Sequence, residues 1–193
     1  MPKKHRLIIF LTIILGLVLI FTIFTRGGSN KTQTKKEKPQ PPKPLVLTDY
    51  IERDSKVVFT VDGQVVADEK HQAVRITVGR SSKQIEILQG YQGNVIKSQS
   101  FDNNQQAYDV FLRALSRLGF AKKRTTTVTD ERGVCPTGQR YISQIIDNND
   151  QVLRTWSISC GSGGTSGAVT PSVLSLFQKQ VPDYSKFTSG VAL

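Results

Sequence analysis

The feature that most constrains this chain is the run Leu7–Phe24, LIIFLTIILGLVLIFTIF, which carries no charge. A helix of that length rises about 27 Å at 1.5 Å per residue, close to the hydrocarbon thickness of a bilayer. Lys3, Lys4 and Arg6 precede the run and Arg26 closes it. A cleaved signal peptide has a shorter apolar region, about 7–15 residues, and small residues at its cleavage site. Here Thr25-Arg26-Gly27-Gly28 follows, with no A-x-A pattern and no nearby cysteine to take a lipid. The run reads as a retained single-pass signal anchor. The organisation expected is a cytoplasmic tail over 1–6, a transmembrane helix over 7–25, a linker over 26–44 and an extracytoplasmic domain over 45–193.

Orientation rests on two competing signals. Lys/Arg residues near helix ends favour the cytoplasmic side. Lys3, Lys4 and Arg6 lie before the helix, whereas Arg26, Lys31, Lys35, Lys36 and Lys38 lie after it. A literal count would keep the domain inside. Long domains translocate regardless of such counts, and a cysteine pair favours an oxidising compartment. The expected topology is N-terminus in, domain out.

The formal net charge of +11 invites a nucleic-acid reading, but its distribution argues against one. Residues 1–44 hold nine Lys/Arg and one acid, Glu37; residues 45–193 hold seventeen Lys/Arg and fourteen acids. The basicity therefore belongs to the anchor flanks and linker, where it suits anionic headgroups of the lipid bilayer. No nucleic-acid partner is expected. Within the linker, Pro39, Pro41, Pro42 and Pro44 follow a Gly/Ser/Lys-rich start. Such a segment buries no core and is expected to be disordered, then extended, spanning up to about 55 Å.

The domain alternates β signals with two helices. Val57–Val61 reads as a strand, Asp62-Gly63 as a hairpin turn and Gln64–Ala67 as its return. Val74, Ile76 and Val78, then Ile85 and Ile87, show period-two burial. Val95–Phe101 gives a further strand. Asp102-Asn103-Asn104 offers N-caps to a helix whose apolar stripe is Ala107, Val110, Phe111, Ala114, Leu115 and Leu118, with Gly119 as its C-cap. Tyr108 and Phe111 read as core. Residues 121–134 read as a polar, mobile loop. Arg140–Ile146 and Val152–Ile158 flank Asp147-Asn148-Asn149-Asp150, a hairpin whose turn tolerates positive φ. Folding it brings Cys135 and Cys160 together at its open end, which predicts one disulfide. Thr170-Pro171 opens a second helix, with Thr170 as N-cap and Val173, Leu176, Phe177 and Val181 inward. The fold expected is α+β: an antiparallel sheet of about five to seven strands with two helices on one face.

Signals for chemistry are sparse. Gly161–Gly167 precedes a helix, as phosphate cradles do, but lacks the P-loop and G-x-G-x-x-G spacings and reads as a flexible connection. His71 is the domain's only histidine and sits in the polar stretch Asp68–Gln72, which reads as a solvated turn. Asp130 and Glu131 could form an acid/base pair but read as solvated. No cofactor, metal site or catalytic residue is expected. The leading reading is a non-enzymatic, membrane-anchored domain that binds an envelope or extracellular protein or glycan.

Two resemblances bear on this. The motif Cys135-Pro136-Thr137-Gly138-x-Arg140-Tyr141, with Arg154-Thr155-Trp156-Ser157-x-Ser159-Cys160-Gly161, resembles uncharacterised single-pass anchored surface proteins of candidate-phylum bacteria. The order strands, helix, Cys-Pro, hairpin, Cys is similar to subtilisin-inhibitor-like domains. That likeness implies an alternative function: Cys135 and Cys160 would clamp a protease-binding loop over Pro136, Thr137 and Gly138, with Thr137 offered to the enzyme. A rigid loop lowers the entropy cost of binding. The second disulfide of that family is missing here, and Gly138 would loosen the loop.

Overall fold

The computed structural model describes residues 44–193, so the anchor over 7–25 and nearly all of the linker fall outside the described residues. Among the described residues, no helix is long and apolar enough to cross a membrane.

The period-two residues build a six-stranded, wholly antiparallel sheet. Its strands are β1 (Ser55–Asp62), β2 (Gln72–Gly79), β3 (Ser82–Gln89), β4 (Asn94–Asp102), β5 (Arg140–Asp147) and β6 (Asp150–Ile158), in the spatial order β4-β3-β2-β1-β5-β6. The helices are α1 (Gln105–Arg117), α2 (Thr170–Gln178) and the single turn α3 (Tyr184–Phe187). The α+β class and the antiparallel sheet are thus as expected, with one more short helix.

One sheet face carries Val57, Phe59, Val61, Val74, Ile76, Val78, Ile85 and Ile87, all buried. The helices pack on that face. Phe177 of α2 is their meeting point, with ring centroids 5.2 Å from Phe59, 5.1 Å from Phe111 and 5.9 Å from Phe120.

α1 starts where its sequence says. Asn104 accepts a hydrogen bond from the Ala107 amide, and Gly119 ends the helix at φ 75°. Its buried face differs from the stripe read from sequence. Tyr108, Phe111, Leu112 and Leu115 are buried, while Val110 is 64% exposed. The i, i+3, i+4, i+7 rule fits both sets. Tyr108 decides between them, because its hydroxyl meets the Ser55 hydroxyl (2.9 Å) and carbonyl (3.0 Å). A buried phenol needs such partners, and only the fold supplies them.

The turn at Asp62-Gly63 is corrected. Gln64–Ala67 is no return strand, and β1 pairs instead with Gln72–Gly79, with Asp62 opposite Ala73. Residues 63–71 bulge out as a loop containing a short 3-10 helix, Asp68–Lys70. Three other interactions oppose the tight hairpin: the Val65 amide donates to the Pro136 carbonyl (2.8 Å), and the Asp62 carboxylate is taken up by both His71 and Arg140. At the β5–β6 turn the expectation holds, with Asn148 at φ 48° and Asn149 at φ 74°. Thr170 does not cap α2 with its side chain; the N-cap position is Val169, and the Thr170 hydroxyl meets Ser157 (2.8 Å).

Candidate functional site

The sheet end where β5 begins and β6 finishes gathers most of the unusual chemistry. Arg140 and Ile158 are opposed in register there, and Cys135–Cys160 closes the hairpin just beyond them, with 5.9 Å between the two Cα atoms. Cys135 adopts φ 55°, a left-handed conformation rare outside glycine. Gly138 proves necessary rather than loosening. A Cβ there would lie 2.6 Å from both the Cys135 sulfur and the Ser159 hydroxyl.

Pro136 and Thr137 are exposed at the tip, as the protease-loop reading requires. Their backbone is folded into a turn closed by the Gly138 amide on the Cys135 carbonyl (3.1 Å).

Next to the disulfide lies a buried polar knot. Arg140 Nε donates to one oxygen of Asp62 (2.7 Å), and His71 Nε2 lies 2.9 Å from the other. His71 Nδ1 lies 3.0 Å from the Gln64 carbonyl, and Tyr91 stacks on the ring with centroids 4.1 Å apart. His71 is only 3% exposed, which corrects the solvated-turn reading. Both of its nitrogens are engaged within the knot. This knot ties the 63–71 loop to β1 and β5.

On the helix side of the same end is a cleft of about 520 Å³. Its walls are Tyr141, Ser157–Ser159, Gly161–Gly163 and the start of α2 through Leu174. The disulfide fixes the Ser159–Gly161 wall by holding Cys160. Tyr141 donates to the Gln139 side chain (2.8 Å), and burial raises its phenol above the ordinary tyrosine value. Arg124 stands at the mouth. Its backbone amide donates to the Thr165 carbonyl (2.8 Å), and among the described residues its guanidinium makes no ion pair. Its lining mixes apolar side chains with the polar groups of Ser157, Ser159, Ser162 and Thr170, and its size is typical of small-ligand sites.

The glycine-rich loop forms part of this wall and is fastened at its far end. Gly164, at φ 113°, presses on Trp156, where a Cβ would meet the carbonyl oxygen at 2.2 Å. The Trp156 amide donates to the Thr165 hydroxyl (3.1 Å), and the Ser166 amide to the Trp156 carbonyl (2.9 Å). A flexible connection thus describes it poorly. A phosphate cradle is also unsupported, since the Ser172 and Val173 amides both donate to the Val169 carbonyl.

The 121–134 segment is likewise tied down. Glu131 is buried against Arg154, which also holds its carboxyl below the usual glutamate value. Trp156 Nε1 donates to the Thr129 carbonyl (3.3 Å). Asp130 pairs instead with Arg132, whose hydrogen bonds hold its carboxyl at about 2. The adjacent acids therefore serve two different arginines. Among the described residues, no group of His, Cys, Asp or Glu could hold a metal.

The cysteines are legible in the sequence, but the cleft residues Arg124, Tyr141 and Ser157 are not; Tyr141 and Ser157 face each other across the β5–β6 hairpin, and Arg124 comes from the segment before it. The chain matches no protein-family model and no curated protein.

Proposed function

We propose that residues 45–193 form a non-enzymatic binding domain, held outside the membrane by the anchor at 7–25. It takes a ligand with an apolar body and an anionic group into the cleft beside the disulfide. The observation that carries this reading is Arg124, a cation without an ion-pair partner among the described residues, at the mouth of a cleft walled by Tyr141, Ile158 and Leu174. The apolar walls would supply burial and the arginine orientation, by bidentate bonds to a carboxylate or phosphate.

The test uses the full chain in detergent micelles, with phenylphosphate and phenylacetate as probes. Amide shifts confined to Ser157–Gly163 and Thr170–Leu174, lost in Arg124→Ala, support the site; no shift at about 10 mM probe overturns it. Topology is checked separately by trypsin access to Arg132 in intact cells. Its side chain is 86% exposed, whereas Lys122–Arg124 is paired with the 165–167 segment.

The protease-inhibitor alternative draws less support. A loop that enters a protease as a substrate strand needs an extended backbone, and Thr137 sits in a closed turn. Full residual activity of subtilisin and trypsin at about micromolar protein would end that reading.

A further inference from the structure

A second surface, independent of the cleft, lies along β4. This strand ends the sheet, and among the described residues nothing pairs with its outer edge. Residues 94–100 are exposed without exception. An extra residue, Ile96, interrupts the ladder, since Lys97 opposes Ile87 while Val95 opposes Leu88. The regular, pairable part of the edge is therefore Lys97–Asp102. Alongside that part, and no other, runs a groove of about 420 Å³ between β4 and the α3 segment, lined by Lys97, Gln99, Phe101, Pro182, Lys186 and Phe187.

An open edge beside a groove is the arrangement by which sheets take up an extended peptide. Main-chain bonds add a strand, and alternate side chains drop into the groove. The charge of the groove restricts the occupant. Lys97 lies over the Phe187 ring, 4.3 Å from its centroid, and donates to the Phe187 carbonyl (2.7 Å). It retains two more N–H donors. Lys186 adds a second cation, against the single carboxylate of Asp183 on this groove. A second copy of the chain would bring an identical groove of the same net sign, which does not complement this one. The chain's own linker is equally mismatched, with Lys31, Lys35, Lys36, Lys38 and Lys43 against Glu37 alone. Like charges brought together at an interface suppress such partners.

We propose that the Lys97–Asp102 edge, with the groove against α3, binds an extended acidic segment of another protein as a seventh strand. Every second residue of that segment faces Lys97 and Lys186.

The test is amide-resolved NMR on the full chain in micelles. The probes are an acetylated, amidated octapeptide alternating Glu with Val or Thr, and its counterpart with Lys in place of Glu. The Glu peptide is expected to shift Lys97–Asp102 and Asp183–Phe187. Lys186→Glu, a surface change, should weaken it about fivefold or more and improve the Lys peptide, with no change in melting temperature. Absence of shifts at about 1 mM peptide, or equal binding of both peptides, overturns the proposal. Concentration-dependent shifts of the same residues without peptide also overturn it, in favour of a second copy.

Discussion

The two edges of the sheet face the same hazard and meet it differently. An unpaired strand edge offers a row of N–H and C=O groups to any passing chain. At β6 the protein itself covers one stretch of that row, at Trp156. Thr165 and Ser166 bond Trp156 on one side, and Lys123 bridges to Ser166 on the other. Gly164 permits the approach, and the disulfide fixes the strand's end. At β4 the chain supplies nothing comparable among the described residues. One edge is thus part of the core's support, and the other is available surface.

That contrast can be broken by mutation. Trp156 is 1% exposed and its indole donates to the Thr129 carbonyl, so Trp156→Ala, which removes both the burial and that bond, should cost about 3–5 kcal/mol in urea unfolding. Ile96→Ala on the open edge should stay within about 0.5 kcal/mol. Equal costs would mean that the two edges are not different in kind.

Opening the disulfide comes next. A loop of 25 residues implies about 3.5 kcal/mol in the chain-entropy model. With Cys135→Ser/Cys160→Ser, hydrogen exchange should quicken at Trp156–Ile158 and leave Gln84–Ile87 at the protection set by global stability. Uniform loosening would place the bond's role in overall stability and not in the cleft wall.

The smallest expected effect concerns pH. Arg154 holds the Glu131 carboxyl below its ordinary value in the folded state. The unfolded chain therefore binds this proton first as pH falls, and the fold loses stability from about pH 5 downward through the depressed value. The pair's contribution is complete above that window. Arg154→Met should flatten this part of the stability–pH profile; an unchanged slope would assign it to other carboxylates.

Much of this architecture is legible in residue patterns because its causes are local. Val74, Ile76 and Val78 alternate because a pleated strand alternates. Asn104 and Gly119 delimit α1 through groups within a few residues of the helix ends. Asn148 and Asn149 make the turn, and the turn brings the cysteines together. The errors arise where the deciding partner is remote. Asp62-Gly63 has hairpin chemistry, yet Asp62 serves His71 and Arg140, the latter 78 residues away. His71 lies among polar neighbours, yet Gln64, Asp62 and Tyr91 enclose it.

By itself, then, the sequence determined the apolar run at 7–24, the charge concentrated around it, the strand and helix periods, and one closed hairpin. These follow from composition and from spacings shorter than about one hairpin. Only the tertiary structure decided which helix face turns inward, where the buried charges find partners, and how Arg124, Tyr141 and Leu174 come to share one cleft. It also decided which sheet edge stays open. Burying a polar group or closing an edge depends on a partner's geometry, and a distant partner leaves no trace in local spacing.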